Sequence, residues 1–194
     1  MGAKGTITTS DYMPFEEYQR LVNTLESEGQ YKWAAYCLLS FCLALRVGDT
    51  LNLRWKDLLD QCGIVVKEQK TGKVKYIPIG ERTANHMIGL YNKIGKPDPS
   101  TNILLNKYGK PMSKQYVNRK LKSWKKDYNL RIGNFSSHTF RKTFGRYVYN
   151  KMGKTQEAVL YLNRIFRHSS LQTTMIYLGI RDDEIGQIFS GIDI

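Results

Sequence analysis

A mainly α-helical domain carrying one small antiparallel β-sheet is the fold class this sequence predicts. Three observations lead there. Apolar residues recur at helical spacing through most of the chain. Residues 32–45 are apolar on nearly all sides, as in a helix at the centre of a core. Two β-rich runs stand alone around a Gly-containing turn. With 194 residues the chain suits one domain that buries its own core.

The elements follow in order. Phe15, Tyr18, Leu21, Val22 and Leu25 keep helical spacing after Pro14, a residue suited to a first turn. The apolar helix at 32–45 comes next, is interrupted at Gly48, and is followed by a shorter helix from Asp49 to Arg54. The runs Ile64 to Gln69 and Val74 to Ile79, joined by Lys70-Thr71-Gly72-Lys73, read as a hairpin. Residues 81–94 read as helix and 95–100, with two prolines, as loop. Ser113 suits the N-cap of a basic helix running to Asn129, and Ser136 or Ser137 that of a helix from His138 to Met152. Helices at 155–166, 170–178 and 182–189 complete the reading.

Composition removes several classes. Sixteen Gly and five Pro exclude collagen-like and low-complexity chains. Cys37, Cys42 and Cys62 allow no even disulfide framework and form no CxxC pair. The stretch from Ala34 to Leu45 is too short to span a bilayer, and residues 1–6 lack a signal peptide's apolar core. The expectation is a reduced, cytoplasmic protein without a membrane partner.

Charge is more informative. The net charge is +13, and fourteen of the thirty basic residues lie in residues 103–154 with a single acid, Asp127. The remaining 142 residues balance at sixteen basic against sixteen acidic. Solubilising charge is usually mixed in sign, so this segment reads as a surface for a polyanion. Its candidate DNA-binding residues are Lys114, Arg119, Lys120, Lys122, Lys125, Lys126, Lys142 and Arg146.

Three places carry unusual side chains. Arg46 ends an apolar run, where arginine is rare unless paired; an ion pair with Asp49 is the ordinary structural explanation. His138 and Arg141 share a helix face in a first turn, where backbone N–H groups favour an anion. His168 is followed nine residues later by Tyr177 in a short apolar stretch. Each alone is weak.

Together and in this order they resemble the tyrosine recombinase, or phage integrase, family. The resemblance runs over roughly residues 10–190 and rests on "LRVGDTLNLRW", "KTGK" between two strands, "SHTFRKTFGRYVYNKMG" and "LNRIFRHSSLQTTMIYLGI". It implies the family's DNA breaking-rejoining catalytic fold, with Arg46, Lys70, His138, Arg141, His168 and Tyr177 as catalytic residues. Two guanidiniums can grip the extra charge of a pentacoordinate phosphate and never deprotonate. Tyr177 is the nucleophile, His138 its general base, His168 a donor to a phosphate oxygen, and Lys70 the acid for the leaving 5′-oxygen. Lys73 and Lys75 compete for that last role; Lys70 is preferred at the end of the first strand.

The resemblance further implies a 3′-phosphotyrosine intermediate, no metal, ATP or other cofactor, and action on double-stranded DNA as a dimer or tetramer. On this reading residues 1–194 are one catalytic domain, with an N-terminal arm at 1–12 and no separate N-terminal domain. Residues 178–194 would form a C-terminal exchange segment docking on a neighbouring copy, and the protein would work on the nucleoid. A type IB topoisomerase shares the chemistry but needs no such segment. A non-catalytic DNA-binding module would not need all six positions filled, and the aromatic β motifs of RNA binders are missing.

Overall fold

The computed structural model describes residues 10–59 and 63–180. Within them the chain is mostly helical with one two-stranded sheet. The expected helix at 182–189, the exchange segment beyond Ile180, most of the N-terminal arm and Cys62 lie outside the described residues.

Helix α1 (Phe15–Ser27) follows Pro14, has Glu16 and Glu17 in its first turn, and buries Tyr18, Leu21, Val22 and Leu25. Helix α2 (Tyr31–Cys42) is the central one and packs against α1, α5 and α7. It stops earlier than its apolar pattern. Ala44 takes a left-handed φ of 48° and Arg46 is extended, yet Leu43, Ala44 and Leu45 all stay buried. Arg46 therefore opens α3 (Val47–Asn52) as its N-cap instead of closing α2. Gly48 lies inside α3, not at a break. A Cβ there would collide with the Gln69 amide oxygen and the Lys114 side chain.

A short helix, α4 (Lys56–Leu59), was not expected from the sequence; the Asp57 carboxylate accepts from the Arg54 N–H at 2.8 Å and starts it. Strands β1 (Gly63–Lys67) and β2 (Val74–Pro78) pair antiparallel, with Lys67 opposite Val74 and Val66 opposite Lys75. The ladder ends before Glu68 and Gln69 because Glu68 closes the turn: its N–H donates to the Lys73 carbonyl and its carbonyl accepts from Gly72. Helices α5 (Glu81–Lys93), α6 (Lys114–Asp127), α7 (Ser137–Lys151), α8 (Gln156–Phe166) and α9 (Leu171–Leu178) follow. Ser113, Ser136, Thr155 and Ser170 cap the last four through their hydroxyls.

The core divides in two. The larger cluster joins α1 to α6 and the buried face of β1, and reaches Phe140 of α7. A smaller one gathers Ala44, Tyr149, Ala158, Val159, Leu162, Phe166 and Leu178. Gly145 lets the smaller cluster close, since a Cβ there would sit 2.8 Å from the Leu178 side chain and 2.9 Å from the Phe166 ring.

Candidate active site

Where the two clusters meet, Arg141 is 3% exposed. Its guanidinium donates to the Ala44 carbonyl and, at 2.9 Å, to the Phe166 carbonyl, and stacks 4.6 Å from the Phe166 ring. Both carbonyls are free because their helices end there: Ala44 in its left-handed turn, Phe166 at the last turn of α8. Three elements thus hold one cation.

Arg46 approaches from the other side. Its Nη1 lies 3.4 Å from the Glu68 carboxylate. The expected partner, Asp49, is buried and instead accepts from the Gln69 N–H at 2.8 Å, tying the hairpin to α3. Glu68 is 2% exposed and gathers two more cations, Arg167 at 3.5 Å and Lys75 at 3.9 Å. Burial alone would raise its pKa; the Thr71 hydroxyl and the Arg167, Arg46 and Lys75 charges outweigh that and hold it below the ordinary range. The Nη1 atoms of Arg46 and Arg167 are buried without a hydrogen-bond acceptor among the described residues. Their close contacts are the ion pairs to Glu68, which leave hydrogen-bonding capacity for a further acceptor.

Lys70, the lysine preferred from the sequence, is exposed in the hairpin turn, next to the anchored Gln69. Lys75 is the lysine that enters the cluster. Burial, then the Arg141 charge, lowers its pKa to about 8 against the pull of Glu68.

His168 and Tyr177 face each other, with ring centroids 5.0 Å apart. His168 Nδ1 lies 3.0 Å from the Thr174 hydroxyl. Burial and the Arg141 and Arg46 charges lower its pKa to about 4, so its ring is neutral at pH 7. The Tyr177 hydroxyl is buried with no completed hydrogen bond among the described residues. Burial pushes its pKa up to about 12 although the neighbouring Arg141 pulls it down. Lys142 lies 5.0 Å over the Tyr177 ring, and Arg146 donates to the Leu178 carbonyl at 3.3 Å, so both pack against the tyrosine's helix. His138, in the first turn of α7, is exposed; partial desolvation of its ring, then Arg141, Lys142 and Arg46, lower its pKa.

The other basic residues divide. Lys114, Lys122 and Lys125 line an open basin of about 790 Å³ that His138 shares with the start of α7. Arg119 and Lys120 lie over the rings of Tyr116 and Trp124 on their own helix, and Lys126 is exposed. Among the described residues no His, Cys, Asp or Glu cluster could hold a metal ion, and no helix is long and apolar enough to cross a membrane.

Sequence reasoning missed Glu68, Asn163 and Thr174. Glu68 was within reach, because it continues the inward alternation of Ile64 and Val66 along the first strand. Asn163 and Thr174 carried no signal that separated them from ordinary helix residues.

The profile of the phage integrase family matches residues 11–184. The chain belongs to the phage integrase family. Its relatives include the tyrosine recombinase XerD of Halalkalibacterium halodurans, 23% identical over 193 residues, 96% of this chain and 63% of that protein. The probable integrase/recombinase YoeC of Bacillus subtilis is 34% identical over 143 residues, 72% of this chain and 73% of that one. The fold is also that of the XerH site-specific recombinase, solved on its difH substrate after cleavage. There the TM-score is 0.70 at 15% identity, over 95% of this chain and 54% of that one. The chain thus spans between about half and three quarters of these proteins' lengths.

Proposed function

We propose that the chain is a site-specific recombinase that cuts and rejoins duplex DNA through a 3′-phosphotyrosine. The observation that carries this reading is the convergence of Arg46, Arg141, His168 and the buried Tyr177 hydroxyl from four separated segments onto one place. Two guanidiniums beside a phenol suit a phosphodiester. The family relationship, and relatives named as recombinases, support the same reading.

In the forward step the Tyr177 oxygen bonds to the scissile phosphorus and the bond from phosphorus to the 5′-oxygen breaks. The phenol proton passes to His138, which is neutral at pH 7 and free to take it. The departing 5′-oxygen takes a proton from Lys70 at the hairpin tip. Arg46, Arg141 and the His168 ring hold the two non-bridging oxygens as charge builds on them. The new ester keeps the energy of the old one, so rejoining is the reverse attack by a 5′-hydroxyl and no ATP or metal is called for. Recombination joins two duplexes, so the working form contains other copies of the chain and acts on nucleoid DNA.

Lys114, Lys122 and Lys125 in the basin beside His138 suit the DNA backbone leading into the site. Arg119, Lys120 and Lys126 extend that basic helix.

The test uses nicked duplexes drawn from the DNA flanking the gene, which trap any covalent complex. Wild-type protein should yield a protein–DNA band on a denaturing gel, bound through a 3′-phosphate. Tyr177→Phe should lose the band and keep DNA binding. A band that survives in the Phe variant moves the nucleophile elsewhere, and relaxation of supercoiled DNA without strand exchange would favour the topoisomerase.

A further inference from the structure

We propose that Asn163 and Thr174 are positioning residues that fix the tautomer of His168, placing its ring proton on Nε2, where it can be donated to a phosphate oxygen. The proposal rests on the recombinase reading for the donor role and on hydrogen-bond geometry for the tautomer.

The distances favour one assignment. The Asn163 amide nitrogen lies 2.9 Å from the Ser170 carbonyl, 2.9 Å from the Thr174 hydroxyl and 3.4 Å from the His168 carbonyl. Carbonyls only accept, so this end of the amide is the NH2 group, and its two protons serve Ser170 and Thr174. The Thr174 oxygen therefore receives a hydrogen bond and keeps its own proton to give away.

Two acceptors compete for that proton. One is the Ser170 carbonyl one turn back, the usual partner of a helical threonine, at 3.5 Å. It already accepts from Asn163. The other is His168 Nδ1 at 3.0 Å. Were Nδ1 protonated, Thr174 would accept from both Asn163 and His168. Its own proton would then be left with the longer contact, to a carbonyl Asn163 already serves. With Nδ1 as acceptor each proton has its nearer partner. A neutral imidazole that accepts at Nδ1 carries its proton on Nε2.

Everything about this relay is held in place. Thr174 is fully buried. Asn163 comes from α8, Thr174 from α9, and His168 lies on the connection between them, which starts with Arg167 in a left-handed conformation. The relay ties the two ends of that connection together around the imidazole. Burial, then the Arg141 and Arg46 charges, keep the ring neutral, so it has one proton to give and the tautomer decides where.

The experiment labels the full chain with 15N-histidine and reads the His168 tautomer, its signals identified against His168→Gln. Single-turnover covalent attachment and DNA affinity are measured in parallel. The expected result is an Nε2-bound proton in wild type, a mixed tautomer in Thr174→Val, and attachment slowed by about ten- to a hundredfold at unchanged affinity. Thr174→Ser should restore both readouts. A wild-type ring protonated at Nδ1, or Thr174→Val attaching at the wild-type rate, overturns the proposal. If Thr174→Val fails to fold, the wild-type and Thr174→Ser spectra and rates decide. If wild type forms no covalent complex the recombinase reading falls, and the tautomer alone decides this proposal.

Discussion

The two arginines of the site are held in opposite ways. Arg141, on the α7–α8–α9 side, is buried and fastened by two backbone carbonyls. Arg46, on the α3–hairpin side, is partly exposed and fastened by the carboxylate of Glu68. A carbonyl orients a guanidinium and leaves its charge intact. A carboxylate also orients it but cancels charge, and must share the cation with any phosphate that arrives. One side of the site is thus a permanent cationic wall, and the other is a set of cations pooled around one buried anion. The difference teaches where rigidity is built and where exchange with substrate is allowed.

Replacing the arginines should expose this difference, and with the largest effect. Arg141→Lys keeps a charge but cannot reach two carbonyls and a phosphate. It should slow covalent attachment by roughly 10²-fold or more. It should also destabilise the fold by about 2–3 kcal/mol, because one buried carbonyl loses its donor. Arg46→Lys should slow attachment by a similar factor while leaving stability almost unchanged, since Arg46 is not sealed in the core. Thermal melts and single-turnover assays on the two variants settle it. Equal stability losses would erase the distinction drawn here.

The contrast between the two sides follows how far each was legible in the sequence. Helical periodicity, with caps expected at Ser113 and at Ser136 or Ser137, made α1 and α5 to α9 readable, and the motif order singled out Arg46, Lys70, His138, Arg141, His168 and Tyr177. What could not be read was the partner of each group. Arg141's partners are carbonyls of Ala44 and Phe166, 97 and 25 positions away, and backbone atoms leave no mark in composition. The end of α2 was missed because burial continues through Leu45 after the helix has stopped at Cys42. The hairpin was legible in principle. Alternation puts Ile64, Val66 and Glu68 on the inner face of one run and Lys75 and Ile77 on that of the other, so a buried acid beside a shielded lysine could have been anticipated.

Glu68 is where the pooled side can be broken. Glu68→Gln removes the anion and keeps the shape, leaving Arg46, Arg167 and Lys75 facing each other. DNA binding should tighten at low salt, because one negative charge is gone from the surface of approach. Attachment should nonetheless fall by about tenfold, because Arg46 loses its anchor. The carboxylate's pKa is depressed in the folded protein. Its contribution to stability is therefore present above the ordinary carboxylate pKa and lost as the pH falls through the depressed value. Acid unfolding of Glu68→Gln should lack that part of the pH dependence. Tighter binding with undiminished attachment would remove Glu68 from the positioning of Arg46.

The smallest effect expected belongs to Lys75, and its sign separates a shielded lysine from a merely ion-paired one. A lysine gaining an anionic partner would have a raised pKa and would stabilise the fold below its ordinary value of 10.5. Lys75 has Glu68 as a partner, but burial and the Arg141, Arg167 and Arg46 charges win, and its pKa falls to about 8. Below that pH folding must keep a charged ammonium in a place that disfavours it. Between about 8 and 10.5 the unfolded chain binds a proton that the folded one has released, so stability gained from this group rises with pH. Lys75→Met removes the titration and keeps an unbranched side chain of similar reach. The variant should melt higher than wild type at pH 7, by a few degrees, and the gap should narrow as the pH is raised from 8 toward 10. Paired melts across that window measure it. A gap that widens with pH would mean that Glu68 dominates the lysine and that the pooled cations repel each other less than their crowding implies.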